Sequence, residues 1–233
     1  APTLREGEVV SSHPPVWLHQ ALSQARFTPY RLAASGDMER ALRLYWWNVE
    51  VSAALYGPLH CLEVALRNAL NERLQTAYDR ADWWESAPLT PDGRFKVERA
   101  QTNARKNLRR GRRRPLVPDD VVAELTFGFW VGLLSRTNDR AFWVPTLHRA
   151  FTGYSGRRDI LYKEFLSMVL LRNRVMHYEP VHHRDLRTDH LTVYRLMEYI
   201  RPELAVEARS LDRVPSVLAR RHEVCAGDHA CSF

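Results

Sequence analysis

Residues 42–74 read LRLYWWNVEVSAALYGPLHCLEVALRNALNERL, and this stretch decides the fold class. Its apolar side chains recur at steps of three and four residues, which is the spacing of an amphipathic helix. Tyr56-Gly57-Pro58 interrupts the pattern with two residues that disfavour a helix interior. The stretch therefore predicts two helices, at about 36–56 and about 58–79.

The same helical spacing continues along the chain. A proline at the first helical position, with acidic residues in the first turn, occurs at 90–92 and at 118–120. These starts predict one helix that ends near Arg110 and another that runs from Pro118 to about Leu134. Further helices are predicted at about 157–178, 188–200, 203–211 and 215–222.

No run of alternating polar and apolar residues bounded by turn residues indicates a strand. The sequence therefore predicts an all-α bundle. We expect an N-terminal extension with a short helix at 1–34, a helical domain at 35–200, and C-terminal helical segments and a tail at 201–233.

Composition sets limits on function. The chain has 233 residues and a formal net charge of +7, which favours an anionic partner. Three cysteines, an odd and sparse set, do not form a disulfide framework. No apolar run approaches the roughly 20 residues of a membrane span, and the first ten residues lack the features of a secretory signal. We expect a cytoplasmic protein with no membrane segment.

The candidate chemistry lies in LRNRVMHYEP, residues 171–180. Cleavage of RNA without a metal needs groups that transfer protons and a cation that holds the charged phosphate. His177 suits proton transfer because the unperturbed pKa of histidine is about 6.5, and Arg172 suits phosphate binding because its planar fork keeps its charge. Asn173 and His177, four residues apart, would share a helix face. One face offers one histidine, so this mechanism favours a homodimer.

Spacing alone does not single out this motif. With 31 arginines and 10 histidines, an arginine five residues before a histidine is expected about once by chance. A similar set, Arg184-Asp185 with His190, is one residue longer and spans a predicted loop. The spacing by itself favours a structural interpretation, in which Arg172 and His177 belong to a capped helix end paired with a neighbouring carboxylate.

Four stretches, in order, resemble the Abi-like (abortive infection) proteins of the HEPN superfamily. They are residues 42–74, VVAELTFGFWVGLL at 121–134, LRNRVMHYEP at 171–180, and the segment around Asp189-His190. The resemblance covers about 40–200 and implies a HEPN-like helical bundle, usually dimeric, with additional helices and a C-terminal appendage. It also implies a metal-independent endoribonuclease, a toxin or phage-defence effector, that leaves a 2′,3′-cyclic phosphate and a 5′-hydroxyl.

The family's Arg-polar-x3-His motif falls on Arg172, Asn173 and His177. The resemblance implies that Arg172 binds the phosphate, that His177 transfers the proton and that Asn173 orients them. HEPN toxins paired with nucleotidyltransferase antitoxins carry a tyrosine two residues after the histidine. Here that position is Glu179 and the tyrosine is Tyr178, so silencing by nucleotide addition to that tyrosine is not expected.

Glu63, Arg67 and Asn68 lie in a stretch that the resemblance also covers. Glu63 and Arg67 are four residues apart on a predicted helix, a spacing that permits a salt bridge. Such a pair would either support the fold or orient the catalytic groups. We rank the three residues as supporting.

A basic run lies between Arg94 and Arg114, where ten basic residues face a single acidic one, Glu98. Its net charge exceeds that of the whole chain, so the remainder is slightly acidic. Such local concentration is typical of a polyanion-binding segment, although a solvated helix face is the plain alternative. The predicted RNA-binding residues are Arg105, Lys106, Arg109, Arg110, Arg112, Arg113 and Arg114.

Two other features have simpler interpretations. His222, Cys225, His229 and Cys231 match no standard zinc spacing, so we expect a disordered tail, no metal and no cofactor. Trp46-Trp47 and Trp83-Trp84 are predicted to lie in the core rather than to stack on bases.

The expected partners are RNA, with tRNA as a candidate, a second copy of the chain, and an antitoxin or defence partner protein. The alternative functions are a non-catalytic RNA-binding module and a structural adaptor of a defence complex.

Overall fold

The computed structural model describes residues 16–111 and 114–232. Within these ranges the chain is all-α and no strand is found, which confirms the predicted fold class. The α-helices are α1 (Val16–Leu22), α2 (Gln24–Ala33), α3 (Met38–Tyr78), α4 (Pro91–Arg110), α5 (Pro118–Glu124), α6 (Phe127–Gly132), α7 (Arg158–Met176), α8 (Leu186–Ile200), α9 (Pro202–Ser210), α10 (Val214–Ala219) and α11 (Arg221–Ala226). Single 3-10 or π turns occur at Trp83–Glu85, Arg136–Asn138, Asp139–Trp143 and Leu147–Ala150.

The predicted break at Tyr56-Gly57-Pro58 is wrong, because α3 runs without interruption from Met38 to Tyr78 with Pro58 inside it. A proline in a helix interior costs about 3 kcal/mol or more, since it removes a hydrogen bond and crowds the preceding turn. Four apolar side chains near Pro58, two on each side of it, are almost fully buried: Val51, Leu55, Leu59 and Leu62. Each such burial contributes about 1.5–3 kcal/mol, so together they outweigh the proline.

The single helix predicted from Pro118 to about Leu134 is also wrong, because the structure divides it into α5 and α6. Leu125 is extended, with a ψ of 125°. The hydroxyl of Thr126 then accepts a hydrogen bond from the N–H of Phe129, 3.3 Å away, and so caps α6. Threonine competes well for a helix N-terminus, and the apolar periodicity does not reveal that competition.

The helix predicted at 215–222 is divided at Arg220 into α10 and α11, and the other helix predictions are close to the structure. The side chain of Thr90 accepts from the Gly93 N–H at 3.1 Å, and Pro91 occupies the first turn of α4. α8 begins two residues earlier than predicted and ends at Ile200 as expected. α7 ends at Met176, two residues before the predicted end.

The chain forms two compact units that interleave in sequence. Unit 1 contains the described residues of Ala1–Leu55, Arg174–Arg187 and Arg213–Phe233. Its core includes Phe27, Tyr30 and Trp47, all at most 2% exposed. The Trp47 indole N–H donates to the Val217 carbonyl at 3.1 Å, and the Arg220 guanidinium pairs with Glu50 at 2.7 Å. These contacts fix α10 and its C-terminal end against the first part of α3.

Unit 2 contains Tyr56–Asn173 and Thr188–Asp212. Its core includes an aromatic group of Trp83, Phe129 and Trp130, with ring centroids 5.2–6.4 Å apart. The Trp83 indole N–H donates to the Asn71 side chain at 2.9 Å. Trp47, Trp83 and Trp84 are buried, as the sequence predicts, whereas Trp46 is only half-buried.

The units do not follow the linear segments 1–34, 35–200 and 201–233, because each unit gathers stretches that are distant in sequence. That linear division stays a prediction. The C-terminal region differs from the expected disordered tail as far as Ala226, where α11 ends with Val224 buried. None of the described helices combines the length and the apolar character that crossing a membrane requires.

Candidate functional site

Arg172 lies on α7, in unit 2, and is held by a carboxylate. Its Nε donates to Oε2 of Glu63 at 2.9 Å, and its Nη2 donates to Oε1 at 3.4 Å. Both side chains are about a quarter exposed. Two parallel bonds from one planar group fix the orientation of the guanidinium as well as its position. The remaining nitrogen, Nη1, makes no hydrogen bond to a described residue, so it is the part of the fork that remains available.

Glu63 does not pair with Arg67, although their spacing permits a salt bridge. Both oxygens of Glu63 accept hydrogen bonds from Arg172 instead. Arg67 donates from Nε to Oδ1 of Asn68 at 3.2 Å. Of the three supporting residues, the structure brings only Glu63 into contact with the motif.

Asn173 follows Arg172 on α7 and is half-buried. Among the described residues its side chain has no hydrogen-bond partner. It lies seven residues after Leu166 and three after Leu170, which are 38% and 53% exposed. Residues at this spacing lie on one side of a helix. Asn173 therefore continues a partly apolar, uncovered face of α7.

His177 lies in unit 1 and is exposed. It caps α7 rather than extending it, because Tyr178 takes a φ of +57° in the left-handed region. The Tyr178 N–H donates to the Val175 carbonyl at 3.2 Å, and the Glu179 N–H donates to the Arg174 carbonyl at 2.8 Å. This pair of bonds defines a Schellman turn, which ends a helix sharply. The prediction that His177 lies within the helix is wrong by one residue.

The turn that carries His177 is tied down within unit 1. The Arg26 guanidinium donates to the Tyr178 carbonyl at 2.6 Å. Farther on, Oδ1 of Asn48 accepts from the backbone N–H groups of Val181 and His182 at 2.8 and 3.1 Å. Asn48 is itself buried, so the exit from α7 is fixed at both of its ends. The imidazole of His177 makes no hydrogen bond to any described residue.

His182 follows this turn and is buried against Tyr30, with ring centroids 5.0 Å apart. Its Nε2 is buried without a hydrogen-bond partner in the part of the chain that the structure describes. Burial, together with the nearby charges of His183 and Arg221, lowers the pKa of His182 to about 4. His182 is therefore neutral at physiological pH and serves the packing of unit 1.

His190, the histidine of the similar set formed with Arg184-Asp185, has a structural role. Nε2 of His190 pairs with the buried carboxylate of Asp212 at 2.5 Å, and its ring packs edge-on against Tyr194. These contacts join α8 to the residues after α9. His190 is thus committed to the core of unit 2, in contrast to the exposed His177.

The basic run lies mainly on α4, in unit 2, and its charges are largely uncompensated. Arg105, Lys106, Arg109 and Arg110 are exposed and form no ion pair with a described residue. Arg114 differs, because it binds both oxygens of Asp120 at 2.6 and 2.7 Å and holds the pKa of that carboxyl below its usual range. Arg112 and Arg113 lie outside the described residues. A shallow groove of about 350 Å³ is lined by Arg105, Leu108, Arg109, Arg114, Pro115 and Leu116.

Within residues 16–111 and 114–232, no group of three or more His, Cys, Asp or Glu side chains is arranged to hold a metal ion. Cys61, Cys225 and Cys231 are free thiols. Burial is the main cause that raises the pKa of Cys225 and Cys231, the latter to about 11. The tail cysteines are therefore protonated and unreactive at neutral pH.

Sequence reasoning missed two features of the site. The partner of Arg172 is 109 positions away in sequence, and a local pattern does not identify such a pair. Asn48 is farther still, 133 positions from Val181, whose backbone N–H it accepts from. Comparisons of the chain with protein-family models, with curated proteins and with solved structures gave no match.

Proposed function

We propose that this chain is a metal-independent endoribonuclease of the HEPN type. In this proposal Arg172 binds the non-bridging oxygens of the scissile phosphate, His177 transfers protons and Asn173 orients the pair. The observation that carries the proposal is the exposed, unpartnered imidazole of His177 on a turn fixed at both ends. A histidine committed to the core, as His190 is, would not reach a substrate.

The proposed reaction is a transesterification. The ribose 2′-oxygen attacks phosphorus while a neutral imidazole takes the hydroxyl proton, and the bond from phosphorus to the 5′-oxygen breaks. An imidazolium donates a proton to that leaving oxygen. The products are a 2′,3′-cyclic phosphate and a 5′-hydroxyl. Arg172 offsets the charge that grows on the phosphate oxygens.

Two histidines are needed for the two proton transfers, and the proposal takes the second from another copy of the chain. The uncovered face of α7 at Leu166 and Leu170, which continues to Asn173, supports such a homodimer. Exposed apolar side chains next to a candidate site are typical of interfaces. Replacing both leucines by glutamate is expected to give monomers in sedimentation experiments and to abolish cleavage.

The basic face of α4 supports RNA as the polyanion, because its cations have few acidic partners. The proposal includes tRNA as a candidate substrate, action in the cytoplasm, and a role as a toxin or abortive-infection effector with an antitoxin or defence partner protein. We also propose that the chain is a member of the Abi-like family.

The test is incubation of the purified protein with RNA in excess chelator, followed by analysis of the product ends. We expect cleavage that leaves cyclic phosphates and that is lost in both His177→Ala and Arg172→Ala. Absence of cleavage by the wild type, or cleavage that survives both substitutions, contradicts the proposal.

One observation favours a second candidate, a non-catalytic RNA-binding module. Glu63 occupies two of the donors that Arg172 would offer to a phosphate. This module predicts salt-sensitive binding of RNA that stays intact, lost when the basic face of α4 is neutralised. No observation in the described residues favours the structural adaptor.

A further inference from the structure

The outer face of α4 combines exposed cations with an exposed aromatic ring. The helix buries Gly93, Val97, Ala100 and Ala104, which share one face. Phe95 lies on the opposite side and is 61% exposed.

Arg99 and Lys106 follow Phe95 by four and eleven residues. At about 100° per residue, both lie within roughly 40° of Phe95 around the helix axis. The three side chains therefore form a stripe along the side of α4 that faces away from the core.

Neither the ring nor the cations of this stripe have partners in the part of the chain that the structure describes. Phe95 makes no aromatic or cation–π contact there, and Arg99 and Lys106 form no ion pair. Lys96, in contrast, is paired with Asp92 at 2.7 Å. A single exposed apolar residue is ordinary, but an unpartnered ring in line with unpartnered cations is the combination that binds unpaired nucleotides.

We propose that this stripe is a binding site for single-stranded RNA, in which an unpaired base stacks on Phe95 and phosphates pair with Arg99 and Lys106. From Phe95 to Lys106 the helix rises about 16 Å, a length that a few nucleotides span. A duplex keeps its bases stacked inside the double helix and offers no free base face to an exposed ring. Single-stranded RNA therefore fits the stripe and duplex RNA does not.

This inference rests on the proposed function in one respect, that RNA is the polyanion. It does not depend on cleavage, because the measurement uses the His177→Ala protein. A protein that binds RNA through Phe95 but does not cleave it would contradict the proposed enzyme and leave this inference intact. Cleavage by a protein whose RNA affinity ignores Phe95 would do the reverse.

The test is fluorescence anisotropy with a labelled oligouridylate and with an RNA duplex of equal length. Phe95→Ala is expected to weaken oligouridylate binding on the order of tenfold, because stacking on an aromatic side chain contributes that much per base. Phe95→Tyr keeps the ring and is expected to keep the affinity. Duplex binding is expected to be unchanged in both variants.

Two controls separate stacking from general effects. Phe95→Leu keeps an apolar side chain without a ring and is expected to behave as Phe95→Ala. Val206→Ala, at a 67% exposed apolar position of α9, is expected to change nothing. Equal affinity in the His177→Ala protein with and without Phe95→Ala, or full affinity with Phe95→Leu, overturns the proposal. So does a Phe95 substitution that weakens binding to phosphatidylserine vesicles while oligouridylate binding stays unchanged.

Discussion

Arg172 and the arginines of α4 carry the same guanidinium group in two contrasting settings. Arg172 is about a quarter exposed and makes two hydrogen bonds to Glu63, which fix its direction and offset its charge. Arg99 and Arg109 are exposed and have no ion-pair partner among the described residues. A fixed guanidinium suits one phosphate in one geometry, whereas free ones attract any phosphate. Changes at the two places should therefore alter different measurements, rate in one case and affinity in the other.

The largest difference between the effect on cleavage rate and the effect on RNA affinity is expected for His177→Ala. Removing a group that transfers a proton in the transition state lowers a rate typically by about 10²–10⁴-fold. RNA affinity is expected to stay within about twofold, because the exposed imidazole makes no contact that supports the fold. Single-turnover cleavage and anisotropy on the same RNA measure the two effects. A parallel loss of affinity would place His177 in RNA binding instead.

Acid is expected to destabilise the turn after α7 before it affects α4, because His182 follows that turn. Its pKa is lowered by burial from 6.5 to about 4, so the folded protein keeps it neutral while the unfolded chain protonates it. The stability that it contributes is complete above pH 6.5, is lost as the pH falls towards 4, and changes no further below that. The loss is about 3 kcal/mol at most. Urea unfolding at a series of pH values measures it.

The matched control is His182→Phe, which keeps a ring against Tyr30 and removes the titration. The free energy of unfolding of the wild type should fall relative to that of this variant as the pH falls across that window. Hydrogen exchange identifies where in the chain the stability is lost. The backbone amides of Val181 and His182, which donate to Asn48, should lose protection in acid before the amides of α4. Equal slopes in both proteins would show that His182 does not titrate in this way.

A smaller effect, and one specific to α4, is expected on neutralising Arg105, Lys106, Arg109 and Arg110 to glutamine. Each phosphate contact to single-stranded nucleic acid contributes about 0.7 to the slope of log affinity against log salt. Four lost contacts should reduce that slope by about 3 and weaken binding at low salt by tenfold or more. Cleavage at saturating RNA should be unchanged.

The control for this prediction is Arg114→Gln. Arg114 is already paired with Asp120, so its removal should change the slope much less than removal of an unpaired arginine. If Arg114→Gln has as large an effect as one of the four, the ion pair does not limit its availability to phosphates.

The contrast between the two regions also explains what the sequence could predict. The exposed charges of α4 are a local property, and the capping residues at Thr90 and Pro91 mark where the helix begins. The all-α class, most helix bounds and the buried tryptophans follow from the same local periodicity. The continuity of α3 through Pro58 does not follow from local periodicity, because it depends on burial supplied by distant residues.

The candidate motif depends on distant residues in the same way. The family resemblance, and not the spacing, pointed to Arg172 and His177, and it does not predict whether either side chain is paired, buried or free. The pairing of Glu63 with Arg172, in place of Arg67, joins two residues of unit 2 that are 109 positions apart in sequence. The exposure of His177 arises from a left-handed Tyr178, a conformation that a non-glycine residue seldom signals in sequence.

The smallest predicted effect, Glu63→Gln, tests the part of the comparison that matters most for function. If Glu63 holds Arg172 in the direction that a phosphate requires, the substitution should lower cleavage by about tenfold, because an amide offers one acceptor oxygen and loses the charge-assisted pair. RNA affinity should be unchanged, since α4 supplies it. Arg67→Gln is the control and should alter neither, because Arg67 contacts only Asn68 among the supporting residues.

An increase in cleavage or in RNA affinity, instead of the expected decrease in cleavage, would also be informative. A rise in cleavage or in RNA affinity after Glu63→Gln would show that the carboxylate competes with phosphate for the guanidinium. Arg172 would then be a paired structural residue in the resting protein, as the spacing by itself favours. The non-catalytic module would become the better account if Glu63→Gln raised affinity and no cleavage followed. A guanidinium that is held in place and one that is blocked thus differ in the sign of one measured change.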